Sequence, residues 1–436
     1  MTKRLKIAAI GCGARAVTYL SEAVRDMSAL YEVVAGADPV ESAINTIREI
    51  SKNPNFRSFD SADALLAEDK LADVLLISTQ DHMHYQPCIQ AMEKGYDILL
   101  EKPIATDLAE IIEMERIAKR LNRRVMLCHI YRFSPFYSKI KEIIDSGVLG
   151  DIVSINASEG VGQWHQSHSF VRGKWAITER ATPMILAKCC HDMDYLSWLI
   201  DEDCVEVSSF GNLSHFNQTN KPNGAPERCT DGCPVASSCH YNATRYATDK
   251  RHPWLPQIMP NEKNSSTDEI LQWLKVSPWG RCVYQCDNDV VDHQVVAMKF
   301  KKNITCTFTM TAFDNGRSID IYGTKGRLKG GEFLSQNCGF DLSVVEHASD
   351  AQTRYDFKFD DDAYIHHEGG DSGLVKAIYS EMQDPEPEKM RASISRAIQS
   401  HLMSFAAEKS RLCGKTINIG KMIHEVTNND GVINEY

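Results

Sequence analysis

No stretch of this 436-residue chain approaches the roughly 18 consecutive apolar residues of a membrane span. Met1-Thr2-Lys3-Arg4 runs straight into a strand-like segment, with no apolar core of a secretory signal ahead of it, so the expected location is cytoplasmic. Long Lys/Arg runs are missing and the formal charge is −11, which excludes the clustered basic surface that nucleic acid requires. Internal repeats and low-complexity tracts are missing too. Cysteine is not scarce. There are 14, many for a compartment where disulfides are rare, so their placement matters more than their number. The 43% hydrophobic and 25% charged fractions are those of an ordinary globular protein, and the length predicts two domains.

Residues 1–128 alternate short apolar runs with helical patterns. Strands are expected at Leu5–Ile10, Tyr31–Ala37, Val74–Ser78, Asp97–Leu100 and Arg124–Cys128. Helices are expected at Ala16–Met27, Glu41–Ile50, Ala62–Ala67, Met83–Lys94 and Leu108–Leu121. This alternation implies βαβ units and a parallel, Rossmann-type sheet. Over residues 129–436 the rhythm changes. A helix is expected at Phe136–Ser146, a strand at Asp151–Glu159 and one helix over Ile185–Ile200. Residues 212–286 read as a Cys-rich, irregular insertion. Strand alternation follows over Asp289–Phe313, with a hairpin turn at Gly323–Arg327. A long helix, Lys389–Leu412, and a short strand, Thr416–Ile419, end the pattern. The fold class is therefore an α/β Rossmann domain followed by an α+β domain with an open, mostly antiparallel sheet.

Gly11-Cys12-Gly13-Ala14-Arg15-Ala16 lies directly between a strand and a helix. Gly11 permits the tight turn, Gly13 removes a Cβ from the path of a pyrophosphate, and Ala16 lets helix and strand pack closely. Phosphates would meet the free N–H groups and positive end of the helix at Ala14 and Arg15. The second strand ends at Asp38, where a carboxylate can accept both ribose hydroxyls of NAD and repel the extra phosphate of NADP. A glycine turn in an unrelated α/β fold is the plain alternative.

Ligands of such sheets bind outside the carboxyl ends of the strands, where Glu101-Lys102-Pro103 closes the fourth clear strand. An ammonium there can stabilise charge on a substrate oxygen and take part in moving its proton; a solvated surface lysine is the alternative. In Ala187-Lys188-Cys189-Cys190-His191-Asp192-Met193-Asp194, helical spacing puts Lys188, His191 and Asp194 near one face. His191 suits general acid/base work, or a core position beside a carboxylate.

The combination of the Gly-rich turn, Asp38, Gln80-Asp81-His82-Met83-His84, Glu101-Lys102-Pro103, Tyr131-Arg132-Phe133 and His191-x-x-Asp194 resembles the Gfo/Idh/MocA oxidoreductases over nearly the whole chain. Members mostly oxidise or reduce sugars, inositols and their derivatives. The resemblance implies that Lys102 is the catalytic lysine and His191 the proton shuttle. His84 and the loop before it, with Ser78 and Thr79, would flank the nicotinamide beside Glu101. Arg132 and Asp194 are counted with the substrate. The family usually carries an Asp four residues before this His; here Ala187 stands there. Either Lys188 reaches the substrate oxygen, or another carboxylate takes that role. Trp164, His165 and His168 suit sugar recognition or core packing. His366-His367-Glu368-Gly369-Gly370-Asp371 resembles a substrate-side loop, or is a polar turn capping a helix that starts near Ser372.

Cys229, Cys233, Cys239 and Cys286 could complete a structural zinc site; iron–sulfur ligation and plain reduced cysteine are the alternatives. Cys282 stands four positions before Cys286 in the same cluster, and the remaining cysteines, Cys338 among them, are scattered. The expected protein is an NAD-dependent oxidoreductase acting on a hydroxyl of a sugar, glycoside or cyclitol, working as a homo-oligomer (dimer or tetramer). Two other readings stay open: an NAD-dependent glycoside-cleaving enzyme without net redox, and a non-catalytic NAD-binding sensor. The partner is a small molecule; neither nucleic acid nor membrane is expected.

Overall fold

Short apolar runs become parallel strands because both faces of each are covered by helices. The strands are β1 (Leu5–Ile10), β2 (Tyr31–Ala37), β3 (Arg57–Phe59), β4 (Val74–Ile77), β5 (Asp97–Leu100) and β6 (Val125–Leu127). They pair all in parallel in the order β3-β2-β1-β4-β5-β6, the doubly wound arrangement. Within β1, Ile7 and Ala9 enter one apolar cluster and Ala8 and Ile10 the other, the period of two of a strand. Helices α1 (Ala14–Asp26), α2 (Glu41–Ser51), α3 (Ala62–Ala67), α4 (Tyr85–Glu93) and α5 (Leu108–Leu121) connect them. This computed structural model describes residues 3–249, 254–259, 265–331, 339–358, 367 and 369–429. Cys338, His366 and Glu368 lie outside them.

After α6 (Pro135–Asp145), a nine-stranded mixed sheet forms among the described residues. Its strands are β7 (Ile152–Val161), β8 (Cys204–Asn212), β9 (His293–Phe300), β10 (Thr305–Thr311), β11 (Asn315–Gly323), β12 (Gly326–Gly331), β13 (Gly339–Glu346), β14 (Gln352–Lys358) and β15 (Ile417–Asn418). Their order is β14-β13-β12-β11-β7-β10-β9-β8-β15, and only β7 with β10 is a parallel pair. The expected class is what the structure shows. Period-two alternation along β9 and β10 buries Val296, Met298, Phe308 and Met310 on one face. The other face leaves Val295 and, on β8, Phe210 exposed.

The expected helix over Ile185–Ile200 is two helices, α7 (Met184–Ala187) and α8 (Cys190–Ile200). The break has a local cause. The Lys102 ammonium donates to the Ala187 carbonyl (2.8 Å), while the Lys188 ammonium is held by Glu159 on β7 (2.7 Å). A carbonyl at a helix end needs such an outside partner. Between β8 and β9 the insertion is mostly turns, with one longer helix, α9 (Thr267–Val276), started by a Ser266–Glu269 capping box.

The chain then returns to the first sheet through α10 (Gly370–Glu381), α11 (Ile394–Cys413) and α12 (Ile419–Asn429). Ile394 and Ala397 of α11 belong to the cluster on one face of the first sheet, whereas Leu402, Met403 and Ala406 belong to the cluster that runs from its other face to the second sheet. His401 on α11 accepts the Ile104 amide (2.9 Å), fixing the segment that follows Lys102. No helix among the described residues is long and apolar enough to cross a membrane.

Candidate active site at the carboxyl edge of the first sheet

The turn after β1 is held from both sides. The Gly11 amide donates to Ala37 (2.9 Å) and the Ser78 hydroxyl to the Gly11 carbonyl (2.8 Å). Gly11 sits at φ +84°, and a Cβ there would lie 2.6 Å from the Ser78 carbonyl oxygen. Gly13 differs: a Cβ there would meet nothing within 4 Å. It starts α1 with no side-chain cap. Nearby, among the described residues, the buried Thr79 hydroxyl has no partner. Open space before an uncapped helix end and an orphaned hydroxyl fit the pyrophosphate of a dinucleotide. Asp38 at the end of β2 accepts the amides of Cys12 and Val40, each at 2.8 Å, which fixes its carboxylate beside the turn.

These two glycines give separable variants. Gly11→Ala is expected to lower stability by more than about 1 kcal/mol, since it puts a side chain on a left-handed backbone against a carbonyl. Gly13→Ala is expected to keep stability and weaken NAD binding, read by thermal melting and by dinucleotide titration of the same samples. A Gly13→Ala protein that binds NAD as well as the parent would remove the pyrophosphate from this turn. Asp38→Ala is likewise expected to weaken NAD binding; equal or better affinity in a calorimetric titration would refute its ribose role.

Lys102 stands at the end of β5, and its ammonium is held by the Ala187 carbonyl as described. His84, expected beside the nicotinamide, is fully buried, with Nδ1 2.7 Å from the Pro103 carbonyl. It braces the Glu101-Lys102-Pro103 loop from behind. Glu101 accepts Arg15 Nε (2.9 Å) and the Tyr19 hydroxyl (2.7 Å). Arg15 therefore turns inward from the Gly-rich turn, and its guanidinium also reaches Asp371 at the start of α10 (2.5 Å).

His191 is 6% exposed, and its Nδ1 is buried with no partner among the described residues. Its ring lies against those of Tyr131 (5.4 Å between centroids), His129 (5.9 Å) and His367 (6.1 Å). Burial first, then the Lys102 charge, push its pKa well below the ordinary imidazole range. His165 is pushed well down as well, by burial and by the neighbouring Lys188, His168, Lys102 and His367. Lys102, Lys188, His165, His191 and His367 thus share one field.

Arg132 and Asp194, expected to touch substrate, instead saturate one another beneath the site. Each is 1% exposed, and Arg132 donates twice to the carboxylate, at 2.8 and 2.7 Å. His168 is buried with its Nδ1 on the Tyr246 hydroxyl and its ring against Trp254 and Trp279. Trp164 packs on Tyr246 under Arg245. Both serve the junction with the insertion.

Sequence reasoning missed the ion chain behind Lys188. Glu159 pairs with Lys188 through one oxygen and with Arg317 through the other (2.8 Å), and Arg317 Nε continues to Asp192 (2.8 Å). Burial raises the Asp192 pKa to about 6. The signal was an acidic residue at the end of a strand whose alternate residues face the core.

The expected zinc quartet needs correction. Cys229, Cys233 and Cys239 line a small cavity with Cys282, not with Cys286. The Cys286 thiol faces the Cys282 carbonyl (3.3 Å). Among the described residues no group of three or more His, Cys, Asp or Glu side chains is placed to hold a metal ion, so zinc is not supported. A groove of about 880 Å³, lined by Lys141, Glu142, Trp198, Asp384, Arg391 and Arg396, lies apart from the Lys102 site.

The doubly wound sheet, the Gly-rich turn and the lysine at the strand edge define a dinucleotide-dependent oxidoreductase. Two family descriptions match, "Oxidoreductase family, NAD-binding Rossmann fold" over residues 5–129 and "Oxidoreductase family, C-terminal alpha/beta domain" over residues 141–356. The chain belongs to the Gfo/Idh/MocA oxidoreductases. A Bacillus subtilis protein that carries an oxidoreductase name, YteT, is 24% identical over 335 residues, 74% of this chain and 76% of that protein. The 2,7-anhydro-N-acetylneuraminate hydratase of Escherichia coli is 26% identical over 159 residues, 36% of this chain and 41% of that protein. The structure of a scyllo-inositol dehydrogenase from Lactobacillus casei, with bound NAD(H) and scyllo-inositol, superposes with a TM-score of 0.63 at 15% identity. That superposition covers 96% of this chain and all of the other, and shows the shared fold.

Proposed function

We propose that the protein is an NAD-dependent dehydrogenase acting on a hydroxyl of a sugar, glycoside or cyclitol. The observation that carries this reading is the placing of Lys102 and His191 together where the first sheet meets the second domain, beside the Gly-rich turn. NAD, when bound, supplies the hydride acceptor. Gly11, Gly13, Ala14, Arg15, Asp38, Ser78 and Thr79 would hold it, with Asp38 selecting NAD over NADP. The Lys102 ammonium stabilises negative charge on the substrate oxygen, and the surrounding imidazoles move its proton. Lys188, fixed by Glu159, is a second donor to a polyol oxygen. A scyllo-inositol dehydrogenase with the same fold holds a cyclitol and NAD(H) in its crystal structure, in keeping with this reading. The location proposed is the cytoplasm. The solvent face of the large sheet, with Phe210 and Val295 exposed, suits a homo-oligomer contact.

An absorbance panel at 340 nm with NAD tests the reading against sugars, inositols and aryl glycosides, with aglycone release followed in the same wells. NADH growth with one polyol class is expected. Aglycone release without NADH would move the assignment to a glycoside-cleaving enzyme. Flat signals beside tight NAD binding would favour a sensor.

A further inference from the structure

Among the described residues the buried Nδ1 of His191 has no hydrogen-bond partner. The described residues do contain a His–carboxylate pair in the same site, from far along the chain. His367 Nδ1 lies 2.9 Å from Asp371 Oδ2. Asp371 is fully buried, and its other oxygen is taken by Arg15. The His367 side chain keeps 36% of its surface exposed, and its ring lies 6.1 Å from both His191 and Tyr131. A carboxylate on Nδ1 fixes the Nδ1–H tautomer and leaves Nε2 bare as a proton acceptor.

We propose that His367, oriented by Asp371, is the general base that takes the proton of the reacting substrate hydroxyl. This rests on the dehydrogenase reading above. The O–H proton passes to Nε2 of His367, and NAD, when bound, would supply the acceptor for the C–H hydride. The alcohol carbon is oxidised to a carbonyl, the dinucleotide is reduced, and Lys102 holds the oxygen as the C=O bond forms. His191 is then a wall of the pocket and not its base. Asp371 is a positioning residue, and through Arg15 it ties the base to the turn that would carry the cofactor phosphates.

The groups facing His367 agree with a neutral, accepting imidazole at pH 7. Burial pushes its pKa below the ordinary range, Asp371 draws it back, and Arg15 and Lys188 lower it again. Asp371 meets a raising effect of burial, but its bonds from His367 and Arg15 hold it down to about 2, so the carboxylate is ionised.

The test has two arms on the full chain. In the first, protein with ¹⁵N-labelled histidine is examined by two-bond H–N correlation at pH 7, and His367 is identified by the signals lost in His367→Gln. The proton is expected on Nδ1 with Nε2 bare. A proton on Nε2 only, or a doubly protonated ring, overturns the proposal. In the second arm, His367→Gly (a residue that fits its φ of +54°) is assayed with the polyol that gives NADH in the panel. An at least roughly 100-fold loss in kcat is expected, with NAD affinity unchanged and activity restored by added imidazole. Undiminished kcat, or a loss that imidazole restores in His191→Gly and not in His367→Gly, overturns it. A panel with no NADH sinks the dehydrogenase reading instead, and the spectrum still decides the orientation of His367.

Discussion

Lys102→Ala is expected to leave NAD affinity nearly intact and to lower kcat at least about 100-fold. The asymmetry follows from position. The Gly-rich turn, Asp38 and Thr79 lie on β1, β2 and the end of β4, and none takes a hydrogen bond from the Lys102 side chain. The ammonium is anchored instead to Ala187, 85 residues away on the substrate side. In the proposed reaction, removing it deletes a positive charge that stabilises the substrate oxygen in the transition state, a term that acts on turnover more than on binding. Lys102→Arg would keep the charge but not the compact three-donor head, and most of the loss is expected to remain. Turnover of Lys102→Ala equal to that of the parent, by stopped assay with the panel substrate, would remove the lysine from the chemistry.

Asp194→Ala is expected to cost about 3–5 kcal/mol of stability, the scale of a buried ion pair with one partner deleted. Arg132 would keep its charge in a site without solvent. Its contacts to the carbonyls of Arg391 (2.5 Å) and Arg396 (3.3 Å) do not neutralise it. His129, 3.5 Å from Asp194, would lose its acidic neighbour as well. The measurement is the urea midpoint at constant slope. Recovery of part of the loss in Arg132→Met/Asp194→Leu would show that the damage comes from the stranded charge rather than from lost packing. A single variant within about 0.5 kcal/mol of the parent would mean that water reaches Arg132.

Features that lie close together in the sequence were legible there. The turn Gly11–Ala16, the carboxylate ending β2 and the Glu-Lys-Pro run at the strand edge each need only a few neighbouring residues, and the parallel sheet follows from the alternation of apolar runs. Features joined across long separations were not. Arg15 meets Asp371 across 356 positions, so the direction of that guanidinium cannot be read from its own segment. The helical period through Lys188, His191 and Asp194 predicted one shared face. The helix is interrupted before Cys190, where Lys102 takes the Ala187 carbonyl and Glu159 the Lys188 ammonium, so Lys188 leaves that face while His191 and Asp194 stay on one helix, both beside His129. Arg132 and Asp194 were noticed as polar residues in suggestive motifs, but polarity alone does not distinguish a residue that meets substrate from one that supports the floor.

The divided allegiance of α11 also sets a schedule for the newborn chain. The first sheet is complete by residue 127, yet Ile394 and Ala397, which cover part of one of its faces, are made some hundreds of residues later. At about 5–20 residues per second on the ribosome, that face waits on the order of ten seconds or more for its cover. The amino-terminal half therefore emerges as an unfinished object, and a ribosome stalled within the insertion would display an apolar surface that chaperones recognise.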